Sequence, residues 1–508
     1  MSKFYITTPI YYVNDKPHIG HAYTTIVADV LAQYNRLKGR DVYFLTGTDE
    51  NSGKNIEAAE KKYGKKDLIK EDIQKYLDEM SAVWQRTWDD IKITNNDFIR
   101  TTENRHIEAV KAFIKPVWEK GDIYKGMYEG YYCEGCEAFI NASDLVEGNC
   151  AIHKKEPKKI KEENYFFRLS KYRDDLLNYI ESNPDFIQPN SRRNEVVSYV
   201  KDFMEDISIT RESVKWGIEV REIEGQVLYV WFDALINYLS GIGYGKDDEK
   251  FNKYWPADVH LVGKDIIKFH CALWPAMLMS AGLPLPKQIF AHGFFTIEGQ
   301  KMSKSLGNVI DPVEISNKYG ADALRYYLLR EIPFGEDGDF SIERLENRYI
   351  SDLSNGLGNL VNRVLSMTEK YLDSKVPKAV TKNLDDFWQK YEEGTESFKF
   401  HNVFTFIWEE IAVCDKLVDD KKPWELAKEA KNEELNDLLY ELLERIRHIA
   451  WALWPYLPET SEKILNKYGI LEVEKEKTFA ELKKWGSLKE GQKLEKGEPL
   501  FPRIEANS

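Results

Sequence analysis

The opening of the chain changes from one apolar pattern to another. "FYITTPIYYV" (4–13) is dense in aromatic and β-branched residues, which predicts a strand. A polar turn, "NDKPHIGH", follows. Val27, Val30, Leu31, Tyr34 and Leu37 then recur three and four apart, which predicts a helix stopping near Gly39. "DVYFLT" (41–46) predicts a second strand, and the polar "GTDENSGKN" comes directly after it. Together these make a β-α-β unit. Both polar segments lie beyond the carboxyl end of a strand, where open α/β sheets bind their ligands.

Over residues 116–225 the pattern breaks into short mixed segments and a lysine-rich stretch, "HKKEPKKIKEEN", which reads as an inserted domain. Strand-like runs return in "GQVLYVWFDALINYL", "DVHLVGKDIIKFH" and "QIFAHGFFTIEGQK" and are expected to supply the second half of the sheet. From residue 321 apolar residues again recur three and four apart, as in a helical bundle. The expected division is 1–115 and 226–320 as two halves of one α/β domain with a parallel sheet, 116–225 as the insertion, 321–350 as a linking segment and 351–508 as the bundle. The last thirty residues are charged and carry no pattern.

Composition adds limits. With 43% hydrophobic and 31% charged residues among 508, the chain is neither disordered nor collagen-like. It has no apolar run long enough for a membrane span, and its N-terminus lacks the apolar core of a secretory signal, so a cytoplasmic protein is expected. A net charge of −14 argues only weakly against a nucleic-acid partner, because a local basic face can bind phosphate on an acidic protein. Five cysteines in so long a chain do not make a disulfide framework.

Three of those cysteines fall in Cys133-x2-Cys136-x13-Cys150-x2-His153. Two chelating pairs on short turns suit a tetrahedral Zn²⁺ site, and four protein ligands make it structural. Cys271 and Cys414 lie in apolar surroundings and read as buried thiols. His18 and His21 flank Gly20 at the start of the first helix. That is a place for a phosphate, although a metal or plain packing would also use histidines. In "GQKMSKSLGN" (299–308), Lys301, Ser303, Lys304 and Ser305 put two cations and two hydroxyls on a glycine-flanked loop suited to closing over a triphosphate. Neither a Walker A motif nor G-x-G-x-x-G is present.

"HIGH" followed much later by "KMSKS" resembles the paired signatures of the class I aminoacyl-tRNA synthetases. "TTPIYYVNDKPHIGHAY", "FLTGTDE", "YVWFDALINYL", "GKDIIKFHCALWPA", "HGFFTIEGQKMSKSLGN" and "LGNLVNRV" are similar to the methionyl-tRNA synthetase family, nearly end to end. The resemblance implies a Rossmann-like catalytic domain, a zinc-knuckle connective insertion, a stem-contact segment at 321–350 and a helical anticodon-binding domain. It implies methionine, ATP with Mg²⁺, and tRNA(Met) as ligands. His18, His21, Lys301 and Lys304 would be catalytic, and His18, Gly20, His21, Gly263, Asp265 and Lys304 would bind ATP. Ile10, Tyr12, Asp49, Trp231, Ala234, Leu235, Tyr238, Ile266 and His270 would form the methionine pocket, Asp49 taking the α-ammonium group. A hydroxyl or imidazole donor near the sulfur would add polar discrimination. Asn359, Arg363 and Trp424 would read the anticodon. The sequence departs from the family pattern at "TDENS", where "TDEHG" is usual. No appended tRNA-binding domain is seen after the bundle, so a monomer is expected.

Three rivals are weaker. A class I enzyme for leucine, isoleucine or valine would carry a large editing insertion, and one for cysteine would place zinc in the catalytic core. A degenerate RNA-binding relative would not need His18, His21, Lys301 and Lys304 intact. A zinc hydrolase would need an open metal position.

Overall fold

The computed structural model describes residues 2–133, 138–140, 145–151, 154–211, 216–223, 225–297, 299–302 and 308–504. A six-stranded parallel sheet organises the catalytic region. Strand β1 (Lys3–Tyr12) lies between β2 (Asp41–Asp49) and the strand Val259–Gly263; β3 (Asp97–Arg100) extends one side. On the other side come Ile289–His292 and the edge strand Ile187–Gln188. The strand order therefore reverses at β1, and the crevice beyond its carboxyl end is the binding position such topology provides. Pro9 has no N–H for the ladder, and the β1–β2 register shifts between Thr7 and Ile10.

Helix α1 (Ile19–Leu37) buries almost its whole length against the sheet and the helical region, as its near-continuous apolar and small residues require. Its Asp29 is fully buried. Asp29 Oδ1 accepts hydrogen bonds from the backbone and hydroxyl of Thr94, and Oδ2 accepts one from Arg325 at 2.8 Å. Arg325 also donates to the carbonyls of Tyr456 and Pro455, so one guanidinium fastens α1 to the C-terminal helices.

Two segments differ from the sequence expectation. "YVWFDALINYL" is not a sheet strand. Only Val227–Leu228 is extended, pairing with Thr210–Arg211 in a separate ribbon, and the helices Val230–Ala234 and Asn237–Ser240 follow. An apolar run buried on all sides shows no periodicity that separates strand from helix. The C-terminal thirty residues are not featureless either. Leu488, Leu494, Leu500 and Phe501 are buried, and the buried carboxylate of Glu444 accepts the backbone N–H groups of Gly486, Ser487 and Leu488.

Within 116–225, β4 (Ile123–Cys133) pairs antiparallel with Lys158–Phe167 over ten residue pairs, Ile123↔Phe167 to Tyr132↔Lys158. The edge strand of the main sheet, Ile187–Gln188, comes from this same stretch. Among the described residues, no helix is long and apolar enough to cross a membrane.

Candidate active site

A cleft of about 450 Å³ opens at the carboxyl ends of β1, β2 and the strands Val259–Gly263 and Ile289–His292. Its lining brings together Ile10, Tyr12, His18, Gly20, His21, Asp49, Trp231, Ala234, Leu235, Tyr238, Gly263, Asp265, Ile266 and His270. These are all the residues expected for nucleotide and methionine other than the two loop lysines. Lys304 lies outside the described residues. The backbone of Lys301 pairs with Thr296, and the next residue, Met302, reaches the cleft. The chain beyond the loop returns to the same place, for the Ile310 carbonyl accepts the N–H of Ile19.

His18 and His21 cap α1 reciprocally. The N–H of Gly20 donates to His18 Nδ1 at 3.0 Å, and the N–H of His18 donates to His21 Nδ1 at 3.2 Å. Each Nδ1 thus offers its lone pair, so each neutral ring carries its proton on Nε2. The rings stack at 3.7 Å between centroids. Tyr11 and Trp84 pack against His21, and burial, reinforced by His18, holds its pKa well below the usual 6.5.

The backbone amides of Ile19, Gly20 and His21 are bonded to Ile310 O, His18 Nδ1 and His18 O. The positive end of the helix dipole also lies at this end of the cleft and favours an anion. The glycine serves the ring: a Cβ on Gly20 would stand 2.8 Å from His18 Cε1 and 3.3 Å from the Met302 methyl. Likewise a Cβ on Gly263 would stand 2.7 Å from Asp265 Oδ1, because that carboxylate folds back over the strand end.

The apolar side of the cleft is aromatic. Trp231 stacks on Phe269 at 4.1 Å, and its Nε1 is buried with no hydrogen-bond partner among the described residues. Tyr238 OH lies 2.7 Å from His270 Nε2, while His270 Nδ1 lies 3.0 Å from the Ile266 carbonyl. A carbonyl only accepts, so Nδ1 carries the proton and the tyrosine donates to Nε2. Both donors expected near the sulfur are therefore committed to each other and to the backbone. Burial lowers the His270 pKa to about 4 and keeps the ring neutral.

Asp49 ends β2, is 3% exposed, and accepts the N–H of Asn51 at 3.2 Å. Sequence reasoning missed His292, which holds Thr24 of α1 at 2.6 Å, and Lys54, whose ammonium lies over the Tyr12 ring. The signal was present, since both follow strand ends in segments singled out for other residues.

Of the zinc set, Cys136 and His153 lie outside the described residues. Cys133 and Cys150 are buried at 3% and 2% exposure. The backbone turns tightly after Cys150, whose carbonyl accepts from Lys154 N–H and whose N–H donates to Lys155 O. Among the described residues no group of three or more metal-ligating side chains is found. In the helical region Arg363 lies half-buried, bonded to Asp419 at 3.1 Å, with Trp424 6.0 Å away and 46% exposed. Asn359 is exposed one turn before Arg363, at the start of the helix Asn359–Leu372.

The family profile described as tRNA synthetases class I (M) matches residues 4–150 and 133–365. A methionine–tRNA ligase of Thermotoga maritima is 48% identical across 99% of this chain and 81% of its own length. That of Bacillus subtilis is 45% identical across 99% and 78%. The crystal structure of Mycobacterium tuberculosis methionyl-tRNA synthetase bound by methionyl-adenylate superposes with a TM-score of 0.92 at 39% identity, covering 99% of this chain and 100% of that one. Its apo form gives 0.86 at 38% identity, covering 100% and 99%. Similarity of this degree, end to end and on one fold, means that the chain belongs to the class I methionyl-tRNA synthetases.

Proposed function

We propose that the cleft is where this methionine–tRNA ligase both makes and spends its activated amino acid, and that the residues divide the work as follows. The methionine carboxylate attacks the α-phosphate of ATP; methionyl-adenylate forms and pyrophosphate leaves. The terminal ribose hydroxyl of tRNA(Met) then attacks the acyl carbon, giving methionyl-tRNA and AMP. The Nε2–H groups of His18 and His21 hold the phosphates, with Gly20 making room for the upper ring. Lys301 and Lys304 stabilise the departing pyrophosphate, Lys304 most directly. Mg²⁺ accompanies ATP and neutralises phosphate charge. Gly263 and Asp265 receive the adenosine, Asp265 at the ribose. Asp49 takes the α-ammonium group. Ile10, Tyr12, Trp231, Ala234, Leu235, Tyr238, Ile266 and His270 enclose the side chain. With the Tyr238 and His270 donors occupied, the Trp231 Nε1–H is a donor left on this wall, and the pocket otherwise selects by shape and polarizable contact. One methyl group gives only about 10–200-fold discrimination by such means, so homocysteine is the difficult competitor.

Cys133, Cys136, Cys150 and His153 hold one structural Zn²⁺ at the tip of the connective domain. Two buried thiols fit that assignment chemically. Asn359, Arg363 and Trp424 read the anticodon, Trp424 by stacking and the other two by edge hydrogen bonds. We place the boundaries of the catalytic, connective, linking and anticodon-binding parts at 1–115 with 226–320, 116–225, 321–350 and 351–508. We take the enzyme to be a cytoplasmic monomer.

The reciprocal His18–His21 cap inside the Asp49 cleft carries this reading. Methionine alone among the twenty amino acids is expected to support ATP–pyrophosphate exchange, and equal exchange with leucine would overturn the assignment. Lys304→Ala should lower exchange about 100–1000-fold, the loss seen when one transition-state donor is removed. It should retain one zinc per chain by metal analysis. Trp424→Ala should weaken tRNA charging and leave exchange intact.

A further inference from the structure

We infer that Asn51 is a positioning residue for the methionine subsite, holding Asp49 in place from an anchor on Asp233. Asn51 stands where the sequence departs from the family pattern, and it touches both acids at once. Its backbone N–H donates to Asp49 Oδ1 at 3.2 Å. Its side-chain Nδ2 donates to Asp233 Oδ2 at 3.0 Å. Asp233 sits in the short helix Val230–Ala234, whose Trp231 and Ala234 line the cleft.

The anchor is specific for this partner. Asp233 has no surface exposure, and its other oxygen, Oδ1, has no hydrogen-bond partner among the described residues. The Asn51 amide is thus the donor that satisfies this carboxyl group. Burial also pushes the Asp233 pKa well above the usual carboxylate range. A carboxamide can donate to Asp233 Oδ2, whereas an ionised carboxylate at position 51 has no proton to give. From the anchor the hydrogen bonds run in series: the carboxamide fixes residue 51, residue 51 fixes the direction of its N–H, and that N–H fixes the Asp49 carboxylate at the cleft wall. The turn is held from its far side as well, because Asn55 donates to the Asp49 carbonyl at 2.9 Å. A carboxylate that meets an ammonium ion gains from being fixed before the ligand arrives.

The inference rests on Asp49 as the ammonium ligand, and the test separates the two. Methionine-dependent ATP–pyrophosphate exchange is measured for Asp49→Asn, Asn51→Ala, Asn51→Asp and the exchange variant Asn51→Asp/Asp233→Asn. Asn51→Ala should raise the KM for methionine about tenfold, the upper weight of one net hydrogen bond, with the KM for ATP unchanged. Asn51→Asp should be worse. The exchange variant, in which donor and acceptor trade places, should return the methionine KM to near the parent value. If Asp49→Asn raises the methionine KM and Asn51→Ala does not, Asn51 has no positioning role. A parallel rise in both KM values, or failure of the exchange variant to recover, overturns the inference too. If Asp49→Asn leaves the methionine KM unchanged, the ammonium assignment falls and this inference with it.

Discussion

Gly20 shows what one missing carbon decides. A Cβ there would force His18 off the Gly20 N–H, since the contact to Cε1 would be 2.8 Å. Alanine is nevertheless the better helix former, by about 1 kcal/mol. Gly20→Ala is therefore expected to leave thermal stability unchanged or slightly raised while exchange activity falls by at least tenfold. A fully active Gly20→Ala enzyme would show that the ring's position is not used. At this scale the sequence brought out residues that line one cleft and little of how they are held. The histidine pair was legible because its spacing at a strand end is local. The proton positions were not, because they depend on which amides the rings accept from. The Asn51–Asp233 bond was invisible for a different reason: it joins residues 182 positions apart, and neither has a pattern of its own.

Elements were legible where residue type or a long spacing marked them. Strands β1 and β2 are dense in aromatic and β-branched residues, and helix α1 is long enough for its three- and four-residue spacing to show. The run after Val227 is short-segmented and apolar throughout, and such a run does not separate helix from strand. The opposite failure is Lys158–Phe167, a lysine- and glutamate-rich stretch that is a strand because β4 pairs with it residue by residue. The Asp29–Arg325 bridge is also non-local, and it joins α1, which starts at the His18–His21 cap, to the C-terminal helices. Both side chains are fully buried. Arg325→Met leaves Asp29 with only the Thr94 donors. The loss of one partner of a buried pair costs about 3–5 kcal/mol, so the urea midpoint should fall accordingly. A shift under 1 kcal/mol would mean that water or a rearranged neighbour replaces the guanidinium.

At the scale of the whole molecule the buried histidines set the acid limit of stability. Five of the nine, His106, His260, His270, His292 and His448, are buried and have pKa values lowered by desolvation. His106 falls to about 3, and His270 and His292 to about 4. In the unfolded chain each returns to about 6.5. Between those limits the unfolded state binds more protons, so stability is flat above pH 6.5 and falls as pH drops below it. By pH 5 each such histidine removes about 2 kcal/mol. Asp233, Asp322, Asp415 and Glu50 act the other way, since burial raises their pKa values and protonation favours the folded state. Asp322, raised to about 6, returns about 1 kcal/mol between pH 7 and 5. Carboxylates with lowered pKa values titrate below this window. These five histidines, with His21 lowered in the same way, outweigh four acids, so the urea midpoint should be level from pH 8 to 7 and drop clearly by pH 5. His260, His270 and His292 lie on or beside the strands that end at the cleft, so activity should fail over the same interval and return on neutralisation. A midpoint unchanged down to pH 5 would mean that these rings take up protons in the folded enzyme as readily as in the unfolded chain.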